Sequence, residues 1–560
     1  MKLCIKLLAI MAIMTSCTPW HNQSKLFKLF NGYLLNQDSL RVSINQACET
    51  WNRCDWKDEY KPEIFINHIL PPQIADEPTE FYWRSDIPQW IDIAEIGGNV
   101  LELAKEINSK IEIDTRHEDW GNAQMGYTAT MSGRFGKCDD RAILTAMAMR
   151  SMGIPATFDL IPMWGSGNNG HSFCGVISPD ESVLAFQNKR DNGTDVWFTH
   201  KVPKVYRRLF FENRESAPYA MNNLEDIPEL FNDFRLEDVT QRYPIGYQDV
   251  RLKSCEKSPN ALCYLAVFNP SGWFPIAYGK SDGHEMTFQD IGNGYGSDGN
   301  TSLKGDDIGE GILYLPCFYN NGIIPASAPV IVSNKGLRFL KPQEEKEDVV
   351  LKRKYPRLAR ISTFAGYMTG GIIEIANNVD FSDAEVLHYI YDRPLSRLQK
   401  IAVSDKNFRY IRFRKPSGIF SIAELQVFDK DGKQIKGKGI MDASLSSAVN
   451  ISNFYDNNTL SFFEISKGIN LWVGIDLGKK QKVSEIAFCP RNDDNDISSG
   501  DTYELLYWND QWISLGKQIA YGHELTYTNV PKGALLWLRD LTKGREERPF
   551  TYENGKQIWW

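Results

Sequence analysis

The feature that most constrains this chain is a change of hydrophobic period near residue 240. Before it, apolar residues recur at helical spacing, as in "IAEIGGNVLELAKEINSKI". After "LEDVTQRYP" the pattern shifts to period-two runs broken by turn residues. Examples are "ALCYLAVFNPSGWFPIAYGK" and "GEGILYLPCFYNNGIIPASAPVIVS". A chain of 560 residues is also too long for one ordinary core. These features predict a multidomain α+β protein, with an N-terminal α+β domain followed by all-β sandwich domains. The expected divisions are a helical lead over 18–55, an α+β domain over 56–210, and β-sandwiches over 235–345, 350–435 and 436–560. The charged stretch "KPQEEKEDVVLKRKYPR" reads as a linker.

The first residues, "MKLCIKLLAIMAIMTSC", combine Lys2 and Lys6 with a short apolar run and then small residues. The run is too short to span a bilayer and has the form of an export signal. Its ending resembles a bacterial lipoprotein box. That resemblance implies cleavage after residue 16, a lipid on Cys17, and anchoring in the cell envelope, at the outer membrane or cell surface. The net charge of −8 gives no footprint for a nucleic-acid partner. The cysteines follow no zinc-ligand spacing. Cys48 with Cys54, and Cys255 with Cys263, are spaced for local disulfides, and buried free thiols fit the same spacing.

"GRFGKCDDRAILTAMAMRSMGIPATFD" contains the first candidate for chemistry. Ala142, Ile143, Ala146, Met147 and Met149 mark a helix that Gly153 and Pro155 end. Cys138 therefore stands at the helix N-terminus, where unpaired N–H groups and the macrodipole favour a thiolate, the nucleophilic form. Asp139 and Asp140 oppose this and also suit a first turn. Further on, "NNGHSFCGVISPDESVLAFQNKRD" opens a strand-like run with His171, which can serve as a base beside the cysteine.

Together, "GKCDDRAILTAMAMRSMGIPA" and "GHSFCGV" resemble the transglutaminase-like cysteine-hydrolase superfamily over about residues 60–205. The resemblance implies a papain-like arrangement with Cys138 as nucleophile and His171 as base and later acid. The family's usual third member is an Asp on the next strand. Here "SVLAFQN" offers Gln187 or Asn188 instead, with Asp191 the nearest acid, in the loop. A neutral amide can hold the imidazole tautomer but stabilises imidazolium less than a carboxylate does. The family's upstream oxyanion donor falls on Trp120 or Gln124. The implied reaction is acyl transfer at an amide of a peptide or glycoprotein through a thioester, resolved by water, with no catalytic cofactor.

"FYDNNTLSFF" followed by "WVGIDLG" resembles a discoidin-type (coagulation-factor C-type) galactose-binding-like sandwich, and "YIRFRKPSGIFSIAELQVFD" resembles the closing strand of another. The first resemblance implies glycan binding and a structural calcium ion at Asp456 and Asn458. An Asx turn accounts for "DNN" equally well. Two functional expectations follow. One is a lipid-anchored cysteine amidohydrolase with glycan-binding accessory domains. The other is a binding lipoprotein whose transglutaminase-like domain is a scaffold without catalysis.

Overall fold

The computed structural model describes residues 37–560 except 92–98, 116–122, 190, 192–197, 199, 222–225, 255–261, 296–306, 446–449 and 545. The leader, Cys17, Trp120 and Cys255 lie outside the described residues. Among those described are eight α-helices and mostly antiparallel sheets, with strands dominating the C-terminal region. The chain is thus a mixed α and β protein. No described helix is long and apolar enough to cross a membrane.

The described residues fall into two compact units: those up to 300 together with 310–340, and those of 301–309 together with 341–560. The first unit opens with helices α1 (Gln37–Arg53), α2 (Pro62–His68), α3 (Trp83–Ile91), α4 (Val100–Lys110), α5 (Tyr127–Gly133) and α6 (Cys138–Ser151). A five-stranded antiparallel sheet follows: β1 (Ala156–Ile161), β2 (His171–Ile177), β3 (Val183–Phe186), β4 (Tyr206–Arg208) and β5 (Leu236–Asp238), in the order β3-β2-β1-β4-β5.

Helix α6 is central. Every residue from Asp140 to Ser151 is buried, including Arg141, Thr145 and Arg150, so the helix is covered all round. Its start is fixed by Asp140, whose carboxylate accepts from the N–H groups of Lys137 (2.8 Å) and Met125 (2.7 Å). Its end is a Schellman motif: Ile154 N–H donates to the Met149 carbonyl (2.9 Å) and Gly153 N–H to that of Arg150 (3.2 Å). Gly153 sits at φ +78°, and a Cβ there would lie 2.3 Å from Cys54 Sγ. Glycine is required on both counts.

The first sheet takes in more chain than expected. β5 pairs with β4, and the Tyr243 hydroxyl donates to Asp159 on β1, so residues 236–243 belong with the α+β region rather than with the following β region. Asp159, fully buried, also accepts two bonds from Arg207 at 2.9 Å each. An eight-stranded antiparallel sheet over 247–339 completes this unit. Three buried groups tie the two sheets: Tyr206 Oη to the Ile276 carbonyl (2.9 Å), Lys201 Nζ to that of Gly311 (2.7 Å) and Lys204 Nζ to that of Gln289 (2.7 Å).

In the second unit, the strand Gln399–Ile422 pairs with Phe463–Cys489 along its length, and Glu424–Phe428 and Lys438–Met441 join the same sheet. The expected boundary at 435/436 falls inside this sheet, because the partner of the 399–422 strand lies beyond it. The expected linker is also partly structured. Lys346–Leu351 is a strand paired with Leu525–Pro531, and its charges point outward while Val349 and Leu351 are buried. A five-stranded sheet over 502–559 completes the unit. Cys48 and Cys54 are free thiols, as are Cys138, Cys174, Cys263, Cys317 and Cys489.

Candidate active site

Cys138 is the first residue of α6 and is half-buried. The backbone N–H of Ser172, the residue after His171 on β2, faces its sulfur and favours the thiolate, as does that of Asp139. The sulfur of the nucleophile candidate thereby lies against the backbone of the residue that follows the base candidate. His171 opens β2 opposite Ile161 on β1, and its ring stacks on Trp164 at 5.8 Å between centroids. Trp164 carries a second histidine, His200, on a tilted contact at 5.6 Å.

Of the two amides offered for the third position, Gln187 is the one whose side chain hydrogen-bonds His171, favouring the charged imidazole. It lies just past the end of β3, which is hydrogen-bonded to β2. Asp191 does not take that place. Its carboxylate accepts from the backbone N–H groups of Gln187 (2.6 Å) and Asn188 (3.0 Å), and from the Asn188 side chain (2.5 Å). It fixes the segment that presents Gln187 and adds a through-space pull toward imidazolium. A buried chain backs it: Arg141 Nη2 donates to Asn108 Oδ1 (2.9 Å), and Asn108 Nδ2 donates to the carbonyls of Asn188 (2.9 Å) and Asp191 (3.2 Å).

The electrostatics depart from the thiolate expected at a helix N-terminus. Burial, and then the Asp139 carboxylate with Oδ1 3.7 Å from the sulfur, push the Cys138 thiol up to about 11. Burial pushes the His171 imidazole below its usual value, against the opposing influence of Gln187 and the acids. Desolvation thus outweighs the macrodipole, and burial disfavours the charged form of both groups. Of the two oxyanion candidates, Gln124 is described. Its Oε1 accepts from Asp76 N–H (2.9 Å) and its Nε2 donates to Asp139 Oδ2 (3.4 Å), which places it against the first turn of α6.

A cleft of about 1030 Å³ opens beside the site. Gln187 and Arg141 line it together with Trp90, Lys110, Glu112, Asp114, Arg134 and Lys189.

In the second unit, Asp456 and Asn458 form the Asx turn that the sequence also allowed. Asp456 Oδ1 accepts from Asn458 N–H (2.9 Å), and Asn458 Oδ1 accepts from Leu460 N–H (3.1 Å). Sequence reasoning missed Glu424. Its side chain is wholly buried, and neither carboxylate oxygen has a hydrogen-bond partner. The N–H groups of Asn457 and Asn458 face it without reaching bonding geometry. Burial, and then Asp456, raise its pKa to about 7. The Asp456 carboxylate also accepts from the Ser461 hydroxyl through both oxygens, at 2.9 and 2.8 Å. Among the described residues no group of three or more His, Cys, Asp or Glu side chains is arranged around a metal position.

No protein-family model matches the chain, and no curated protein does. Among solved structures, the crystal structure of red sea bream transglutaminase is a faint neighbour. It has 10% identity and a TM-score of 0.10, over 89% of this chain and 70% of that one. A similarity of that size carries no argument here.

Proposed function

We propose that the first unit is a cysteine amidohydrolase of transglutaminase-like type, acting on peptide or glycoprotein amides through a thioester. The observation that carries the reading is the Ser172 N–H facing the Cys138 sulfur, with Gln187 hydrogen-bonded to the adjacent His171. In the reaction, His171 takes the thiol proton as sulfur attacks the amide carbonyl. The leaving amine takes that proton from imidazolium, and a water activated by His171 then hydrolyses the thioester. Gln187 orients the ring and stabilises imidazolium; Gln124 is the described candidate for an oxyanion donor. Because burial disfavours the charged form of both groups, His171 acts as a general base during attack and not as one half of a standing ion pair.

The reading extends to a lipid on Cys17, which makes a membrane the second partner, and to glycan binding by the second unit. Asp456 and Glu424 are the carboxylates that would hold a calcium ion there, with a structural role only. The test is cleavage of peptide and glycopeptide amides by the protein lacking residues 1–17, compared with Cys138→Ala and His171→Ala. Loss of cleavage in both variants supports the reading. The same thiol pushed up to about 11 favours the second reading, a scaffold without catalysis. Cleavage absent from all three proteins supports that one, and cleavage unchanged in both variants overturns the roles given to Cys138 and His171.

A further inference from the structure

The cleft beside Gln187 has a charge opposite to that of the whole chain. Lys110, Arg134, Arg141 and Lys189 line it against Glu112 and Asp114, four cations to two carboxylates, in a protein whose net charge is −8. The cations differ in how they are engaged. Lys189 is ion-paired with Glu112. Arg141 donates to the Ile111 carbonyl (3.0 Å) and to Asn108. Arg134 and Lys110 have no carboxylate partner within hydrogen-bonding distance among the described residues, although Arg134 also feels the field of Glu112.

Arg134 is held for use. Its backbone is left-handed at φ +53°, at the C-cap of α5, and its guanidinium lies over the Trp90 ring, 5.7 Å from the centroid. The Trp90 Nε1–H is in turn fixed to the Tyr127 hydroxyl at 3.1 Å. A guanidinium within cation–π range of an indole keeps its N–H groups for a carboxylate, which it can grip through two parallel bonds.

We propose that this cleft is the subsite for an acidic residue of a peptide substrate, gripped by Arg134 and assisted by Lys110. This deepens the cysteine-hydrolase reading and rests on it. Its place follows from two shared residues. Gln187 lines the cleft and bonds His171, and Arg141 lines it three residues along α6 from Cys138.

The test uses the full chain from residue 18 onward carrying Cys138→Ala, so that nothing turns over. The probe is a short fluorescein-labelled peptide with glutamates flanking a central amide, compared by anisotropy with a twin in which glutamine replaces each glutamate. The acidic peptide is expected to bind roughly tenfold tighter or better. That advantage is expected to shrink in salt and to vanish in Arg134→Met, which keeps an unbranched stem and removes the charge. Equal binding of the two peptides overturns the proposal, and so does an advantage that survives both Arg134→Met and Lys110→Met. Displacement by a polyuronate with no preference between the peptides identifies an acidic glycan and also overturns it. Failure here is separable from failure of the hydrolase reading. An acyl adduct on Cys138 of the protein that keeps this cysteine, without charge preference in the Cys138→Ala protein, removes the subsite alone, whereas charge preference in the Cys138→Ala protein without an adduct in the other removes the chemistry alone.

Discussion

The Gln187 side chain hydrogen-bonds the His171 imidazole from just past the end of the neighbouring strand. An amide there orients the imidazole without supplying a full charge. The account predicts that Gln187→Asp raises the His171 pKa, since a carboxylate favours imidazolium, and that Gln187→Ala lowers it. An NMR titration of the His171 ring protons reads both shifts. In a cleavage assay Gln187→Ala is expected to lose about 10–100-fold in kcat.

Cys138 titrates late, and Asp139 is part of the cause. With the thiol near 11, the thiolate fraction is small at neutral pH and grows with every unit of pH up to that value. Iodoacetamide modification of Cys138 is therefore expected to accelerate continuously from pH 6 to 10, with no plateau at acid pH. Removing the Asp139 charge lowers the thiol pKa, so Asp139→Asn is expected to react several-fold faster at pH 7. Peptide mapping by mass spectrometry assigns the label, and an acid-side plateau contradicts the late titration of this thiol.

Buried Asp159, gripped by Arg207 and Tyr243, joins the first sheet to the chain that follows it. Asp159→Asn leaves the Arg207 charge uncompensated in the interior. The expected loss is about 3–5 kcal/mol of stability, measured by denaturant unfolding at pH 7. A loss under about 1 kcal/mol would mean that water reaches this pair.

Gly153 ends α6 at a left-handed φ with Cys54 pressed against its α-carbon. Gly153→Ala is expected to cost about 2 kcal/mol or more, from the positive φ and the clash together. Thermal unfolding reads this as a fall of several degrees in Tm.

The Asp456 carboxylate acts through space on buried Glu424 and, after burial, raises its pKa. Added calcium is expected to raise the unfolding temperature of the native protein and to leave that of Glu424→Gln unchanged. Differential scanning calorimetry with calcium, and with chelator, checks it. Equal responses of the two proteins remove Glu424 from any cation site.

Much of the first unit was legible because its signals are local. The cysteine, the helix, Gly153 and the strand starting at His171 follow one another within a short stretch, and Gln187 stands just past the end of the next strand. The thiolate was misjudged because helix-end electrostatics can be read from a linear sequence while desolvation cannot; only packing shows that α6 is covered on every side. The 435/436 boundary failed for a similar reason. Pairing of 399–422 with 463–489 is non-local, and neither strand announces its partner. The stretch 341–357 read as a linker because its charges hide Val349 and Leu351, the inward face of an edge strand. For Glu424 a signal was present: an acid inside "SIAELQV", a run with no room for an exposed face, and every residue of it is buried.

The measurement that bears most directly on the central claim is mass spectrometry of the protein quenched in acid during reaction with peptide and glycopeptide amides. The account predicts an acyl group on Cys138, released by hydroxylamine, and absent from Cys138→Ala and from His171→Ala. Amide cleavage that proceeds with no adduct, or that continues undiminished in Cys138→Ala, contradicts it.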